Sequence, residues 1–262
     1  MNKAMAVILL HVLFSGSVFA AEVNQFIRIE GGDFRSVIPV DESNNLATVS
    51  DFYLQQSPVT NAEFLRFVLY RPEWQRERAP GIFADDQYLS AWAGPISLGQ
   101  DALPDQPVTR VSWFAANAYC KSENGRLPTW YEWEFVAAAN EKRSDARDSD
   151  AWQRQIISWY STVGGGPLSS VRARPANYHN VYDAHGLVWE WVDDFTGLLV
   201  SGDNREQGGA DQLQFCGAGA ITMEEKENYA VLMRVAMLSS LEARFTTRNL
   251  GFRCARSMEP NQ

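Results

Sequence analysis

The chain has 262 residues and a formal net charge of −9, and 45% of its residues are hydrophobic. Acidic proteins repel nucleic acids and anionic membrane surfaces, so neither is expected as a main partner. The hydrophobic content supports a sizeable core, and the length fits one large domain or two small ones.

The first twenty residues have the pattern of a secretory signal peptide. Lys3 precedes a largely apolar run from Ala4 to Leu13, and Val18-Phe19-Ala20 fits a signal-peptidase site. The run is too short to span a membrane, and no later run approaches that length. We therefore expect residues 1–20 to be removed and the mature protein to be periplasmic or secreted.

Cysteine and histidine are scarce. The cysteines are Cys120, Cys216 and Cys254. An exported chain permits disulfides, and three cysteines leave one thiol over. None of them are close neighbours in sequence, so a zinc or iron–sulfur site is not expected. Removal of the signal peptide leaves only His179 and His185, which excludes a three-histidine metal site within one chain.

The N-terminal part predicts short strands and then a helix. Phe26–Ile29 alternates as a strand, and Thr48–Leu54 is rich in β-branched and aromatic residues, which predicts a second strand. Thr60 with Glu63 forms a capping box, so a helix is predicted from Asn61 to about Tyr70.

The middle of the chain predicts two more helices. Residues 71–108 lack periodicity and are expected to be an irregular surface region. Ser112 is placed to cap the next helix. A second capping box, Thr129 with Glu132, begins the helix predicted from Trp130 to Ala139.

The C-terminal half is less regular. Residues 142–154 are charged and are expected to be solvated, and the triple glycine at 164–166 is expected to be a loop. Tyr229–Leu241 is apolar around Arg234. Asn249–Arg256 is expected to be a closing strand.

The stretch Tyr182–Trp191 contains several residues that could bind a metal ion. Asp183 and Glu190 lie seven residues apart with Gly186 between them, which suits a tight loop followed by a strand. Two carboxylates, with carbonyls freed at the glycine turn, are the hard oxygen ligands that calcium prefers. The alternative is a tryptophan-anchored core strand with a solvated Asp and Glu.

Four blocks of the chain resemble the formylglycine-generating enzyme (sulfatase-modifying factor) family, in the family's order. They are Val59–Phe64, Pro107–Phe135, Tyr182–Trp191 and Asn249–Arg253. The resemblance implies a single α+β domain over residues 21–262, a variant of the C-type-lectin-like fold that is low in regular secondary structure. It also implies a disulfide between Cys120 and Cys254.

The resemblance implies a calcium site in the third block. The ligands it implies are the side chains of Asp183 and Glu190 and the backbone carbonyls of Gly186 and Val188. We expect His185 to be structural rather than a ligand, because imidazole suits softer metals than calcium.

The catalytic region departs from the family. Its formylglycine-generating enzymes resemble each other in a pair of nearby cysteines that binds copper, whereas Glu224–Arg234 contains no cysteine here. Cu(I) needs soft thiolate ligands, so the family's copper-dependent oxidation of cysteine is not expected. The candidate catalytic residues are Cys216 and Arg234, as a thiol activated by a nearby cation. The alternative is that Cys216 is a small buried apolar side chain.

The chain most resembles the family's divergent exported members. Two of its segments, Ser201–Arg205 and Phe245–Asn249, look most like the group that is encoded with copper nitrite reductase. The first hypothesis is a maturation or accessory factor that acts on a partner protein or peptide, and the suggested partner is a copper nitrite reductase. The second is a non-catalytic lectin-like binding module. The third is an oxidase of a peptide-derived metabolite, similar to the pyoverdine-maturing member of the family. Convergence of Cys216, Arg234 and a buried carboxylate in one cleft favours an enzyme. An aromatic, uncharged groove favours binding.

Overall fold

A computed structural model of the chain describes residues 24–38, 40, 45–162, 166–198 and 229–258. Within these ranges the strands form three small sheets. The strands are β1 (Phe26–Ile29), β2 (Gly32–Arg35), β3 (Leu46–Val49), β4 (Phe52–Gln55), β5 (Trp189–Glu190), β6 (Leu250–Gly251) and β7 (Ala255–Ser257). β1 and β7 both pair antiparallel with β4, β2 pairs antiparallel with β3, and β5 pairs parallel with β6.

The prediction of one strand over Thr48–Leu54 is wrong. The chain leaves β3 after Val49 and enters a different sheet as β4 at Phe52. At this change of sheet the backbone of Gly31 packs so closely that a Cβ on it would lie 2.0 Å from the Val49 carbonyl oxygen. Asp51, in the connection, accepts a hydrogen bond from the Gly31 N–H at 2.9 Å.

The helices follow the capping signals. They are α1 (Asn61–Tyr70), α2 (Trp113–Ser122), α3 (Trp130–Ala137), α4 (Asp150–Thr162) and α5 (Tyr229–Ser239), with 3-10 turns at Pro72–Trp74 and Phe195–Gly197. Both predicted capping boxes, Thr60 with Glu63 and Thr129 with Glu132, are present. Residues 142–154 are largely exposed, as expected, but the end of this stretch begins a helix that was not predicted: α4 starts at Asp150 and buries Ile156 beyond it.

The core is aromatic and lies between α1, α2 and the segment that joins β6 to β7. The ring of Phe64 lies 5.8 Å from that of Tyr119 and 6.0 Å from that of Phe252. A disulfide joins Cys120 in α2 to Cys254 in the same core, with the two Cα atoms 5.4 Å apart. Across the described ranges, no helix is both long and apolar enough to cross a membrane.

Candidate functional site

The loop before β5 depends on a glycine. Asp183 and Gly186 both adopt the left-handed backbone conformation, with φ angles of 56° and 78°. A Cβ on Gly186 would lie 2.5 Å from the Cβ of Trp159, so glycine is required by space as well as by conformation. The turn then delivers Val188, which is buried, to the start of β5. The predicted loop-then-strand shape of this stretch is therefore present.

Glu190 is held by an arginine that sequence reasoning did not single out. Nε and Nη2 of Arg253 donate to the two carboxylate oxygens of Glu190 at 2.9 and 2.8 Å. The two side chains are 1% and 0% exposed, so this is a fully buried, bidentate ion pair. Nη2 of Arg253 also donates to the carbonyl of Tyr182 at 2.8 Å. The arginine thus ties the beginning of the loop to β5.

Asp183 is also engaged by groups of the protein. Its Oδ2 accepts the backbone N–H of Arg172 at 2.6 Å, and its Oδ1 lies 3.4 Å from Nη2 of Arg174. Burial raises the pKa of Asp183, against the opposing effects of the Arg172 N–H and the Arg174 charge. Desolvation therefore changes the pKa of this carboxylate more than the Arg172 hydrogen bond and the Arg174 charge do.

The carboxylates do not fit a calcium cage in this arrangement. Both oxygens of Glu190 accept from Arg253, and Asp183 faces Arg174, so guanidinium groups already supply the positive charge. A divalent cation placed between the two carboxylates would meet these guanidinium charges at short range in a buried environment. The family resemblance predicts calcium binding by Asp183, Gly186, Val188 and Glu190, whereas this arrangement of arginines predicts none, and the two predictions differ in the effect of EDTA on the melting temperature.

Arg234 is a core residue of this region. It is fully buried, its guanidinium carbon lies 3.5 Å from the centre of the Trp133 ring, and its Nη2 donates to the carbonyl of Glu190 at 2.5 Å. Cys216, the other candidate catalytic residue, lies outside the described residues. Arg234 therefore supports β5 from inside the protein and does not open onto the surface.

His185 is buried beside the same tryptophan. Its Nε2 lies 2.8 Å from the carbonyl oxygen of Ala137, and its ring meets Trp133 and Trp152 edge to face. Burial lowers the pKa of His185 to about 4, so the ring is neutral at physiological pH. These contacts are those of a structural histidine.

A cleft of about 340 Å³ lies between α4 and the loop that carries Asp183 and His185. We call it the α4 cleft; its walls include Trp152, Trp159, Arg174, Asp183, Ala184 and His185. Sequence reasoning missed it because the start of α4 was read as solvated chain. The signal was present: Trp152, Ile156 and Trp159 follow the i, i+4, i+7 spacing of one helix face.

One known family matches nearly the whole chain. The family model described as "Sulfatase-modifying factor enzyme 1-like domain" matches residues 15–258. The chain belongs to the sulfatase-modifying-factor family. This membership, together with the mixture of helices and strands, confirms the predicted α+β class and single family domain.

The relatives within the sulfatase-modifying-factor family differ in what their names say of activity. The inactive C-alpha-formylglycine-generating enzyme 2 of Mus musculus is 29% identical over an alignment of 247 positions, which covers 80% of this chain and 76% of that protein. The formylglycine-generating enzyme of Streptomyces coelicolor is 27% identical over an alignment of 279 positions, which covers 87% of this chain and 88% of that protein. Membership therefore does not by itself assign an activity.

A solved structure of a similar protein is that of PvdO from Pseudomonas aeruginosa. It is 19% identical, has a TM-score of 0.47, and the match covers 89% of this chain and 94% of that one. At this level the likeness carries no argument about function.

Proposed function

We propose that this member of the sulfatase-modifying-factor family is an exported accessory protein that binds a segment of a partner protein, without the copper-dependent oxidation of cysteine. The observation that carries the proposal is the disulfide between Cys120 and Cys254. The chain has three cysteines, so this bond leaves one thiol, Cys216. A single thiol does not provide the thiolate pair on which the family's Cu(I) chemistry relies.

The position of Arg234 supports the same conclusion. A cation that activates a reactive thiol has to share an accessible cleft with it. Arg234 instead lies over Trp133 with no exposed surface, and its guanidinium holds the carbonyl of Glu190. Its role in this proposal is to brace the strand that follows the loop.

Export and the choice of partner are parts of the proposal that rest on sequence. The pattern of residues 1–20 supports export. The resemblance of Ser201–Arg205 and Phe245–Asn249 to the group encoded with copper nitrite reductase supports that enzyme as the partner; the first of these segments lies outside the described residues.

The absence of copper chemistry is tested on the purified mature protein. Cu(I) is titrated against a chromogenic chelator, and oxygen consumption is followed with a cysteine-containing peptide, with the Streptomyces coelicolor formylglycine-generating enzyme as positive control. We expect no stoichiometric copper and no oxidation, and the same result for Cys216→Ser. Stoichiometric copper that is lost in Cys216→Ser, together with oxygen consumption, would restore the enzyme hypothesis.

Binding is tested with an immobilised copper nitrite reductase. We expect reversible association with the native enzyme and none with an unrelated cupredoxin of similar charge. If the reductase does not bind, it is rejected as the partner. The copper experiment tests independently whether the protein oxidises cysteine.

A further inference from the structure

The α4 cleft lies on the outer side of the loop that carries Asp183 and His185, and its wall is aromatic. The indole rings of Trp152 and Trp159 are 5.7 Å apart and nearly perpendicular, at 87°. The ring of His185 adds a second edge-to-face contact, at 5.8 Å from Trp152. Rings that meet at right angles leave a corner in which another planar ring can stack on one and meet the edge of the other.

Of the ion pair that lines the cleft, the cationic partner is the more exposed. Arg174 and Asp183 both line it, but the side chain of Arg174 is 28% exposed and that of Asp183 only 1%. A ligand entering the cleft therefore reaches the guanidinium and not the carboxylate behind it. Lys142 and Glu141 also line the cleft, are both exposed and carry opposite charges, so together they add no net charge.

Arg174 is held in a fixed orientation. Its guanidinium carbon lies 4.5 Å from the centre of the Trp159 ring, and its Nη2 donates to the carbonyl of His185 at 2.9 Å. The stacked cation extends the aromatic wall and occupies a face of Trp159 on which a cationic ligand could otherwise lie. A planar guanidinium fork presents further N–H donors, whose preferred ligand is a carboxylate.

We infer that the α4 cleft binds a planar aromatic group that carries a carboxylate. The size of the cleft, about 340 Å³, lies at the low end of small-molecule sites and suits one aromatic residue rather than a larger cofactor. Two sources share this chemistry: a free aromatic acid, and the C-terminal aromatic residue of a peptide. The peptide source rests on the proposed function, because it identifies the C-terminal aromatic residue of the partner protein as the part that is bound.

Calorimetry with matched probes tests the inference on the wild-type protein. N-acetyltryptophan carries the ring and the carboxylate, and N-acetyltryptophan amide carries the same ring with a neutral amide in place of the carboxylate. We expect the acid to bind about tenfold or more tightly than the amide, because the guanidinium of Arg174 forms charge-assisted hydrogen bonds with a carboxylate that a neutral amide cannot match. Equal binding of acid and amide, or binding of neither, overturns the inference without requiring any variant.

Three variants locate the site. Trp152→Ala should weaken the acid about tenfold or more through lost ring contact, and Arg174→Lys should abolish most of the preference for acid over amide. Trp74→Phe is the matched control, since this partly buried tryptophan does not line the cleft. Thermal unfolding of each variant shows that it is folded. Unchanged acid binding in folded Trp152→Ala places the ligand elsewhere and overturns the inference.

Peptides separate the two sources. A peptide that ends in tryptophan is compared with its C-terminally amidated form and with a peptide in which tryptophan is internal. Binding of the free C-terminus alone supports the peptide source, and binding of N-acetyltryptophan without any of the peptides supports a free aromatic acid. If the partner protein binds Trp152→Ala as strongly as wild type, the peptide source is rejected while the proposed function stands.

Discussion

Arg253 connects three parts of the chain through one side chain. Its guanidinium binds both oxygens of Glu190, the carbonyl of Tyr182 and, at 3.3 and 3.2 Å, the carbonyls of Gln55 and Gln56. No spacing rule links Arg253 to Glu190, which is 63 residues away, so sequence reasoning assigned Glu190 to a metal instead. The fold creates a partner that the local pattern cannot show.

Arg253→Met should destabilise the protein strongly. It leaves the buried carboxylate of Glu190 without its counter-ion, which costs about 3–5 kcal/mol of unfolding free energy. Urea unfolding measures this loss. Arg28→Met is the matched control, because Arg28 is 53% exposed in its pair with Asp51 and an exposed pair is worth at most about 1 kcal/mol. Similar losses in the two variants would contradict the assigned role of Arg253.

His179 should make stability depend on pH. Burial lowers its pKa from the usual 6.5, so as pH falls below that value the unfolded chain takes up a proton that the folded chain does not. The unfolding free energy should therefore fall as pH falls from about 7 to 5. His179→Phe, which keeps a ring against Phe135, should reduce this fall. His185 contributes with the same sign over the whole range from its unfolded pKa of 6.5 down to its folded pKa of about 4, so the fall that remains in His179→Phe is expected from His185.

Urea unfolding at the two pH values is the measurement. Tyr178→Phe serves as the control, because it alters the neighbouring ring without removing a group that titrates in this range. A pH dependence that is the same in His179→Phe and in the wild type would show that His179 ionises freely in the folded state.

At the scale of elements, the sequence predicted what is encoded locally. α1 and α3 begin where the capping boxes lie, because Thr60 and Thr129 bond to groups only three residues away. α4 was missed because its charged first turn masked the apolar face that follows, and that face is buried only by distant chain. The division of residues 48–54 between β3 and β4 was missed because it depends on partners in β1 and β2.

The loop before β5 supplies a test of calcium against arginine. If Arg253 and Arg174 neutralise Glu190 and Asp183 as the structure shows, the melting temperature should be the same in EDTA and in excess calcium. A ligand that binds only the native state raises the melting temperature. A clear fall in EDTA that calcium reverses, absent in Glu190→Gln, would support the calcium site implied by the family resemblance.

At the scale of the whole molecule, the disulfide closes a loop of more than half the chain. Cys120 and Cys254 are 134 residues apart, for which chain entropy gives roughly 5 kcal/mol of stabilisation before strain. Cys120→Ala should therefore lower the unfolding free energy by several kcal/mol, and reduction of the wild type should have a similar effect. Mass spectrometry of a non-reduced digest checks the bond, and free alkylation of both cysteines would refute it.

Overall architecture was predictable because several motifs in a fixed order imply it together, even though each alone is weak. The candidate site was less predictable. Its carboxylates were identified, but their partners Arg172, Arg174 and Arg253 and the wall formed by Trp152 and Trp159 come together only through tertiary folding. A sequence pattern identifies chemical groups, but the tertiary fold determines which of those groups come into contact.

The sheet made of β1, β4 and β7 has a practical consequence. β1 and β7 flank the same strand, so they lie on the order of 10 Å apart across the sheet, and Arg256 reaches over the ring of Phe26 at 3.6 Å. Because the first and last strands of the described residues are such close neighbours, this part of the chain can be inserted into a surface loop of a host protein without spreading the ends of that loop. For the same reason, a donor and an acceptor dye attached beside these strands would exchange energy while the sheet is intact and cease to do so when it opens.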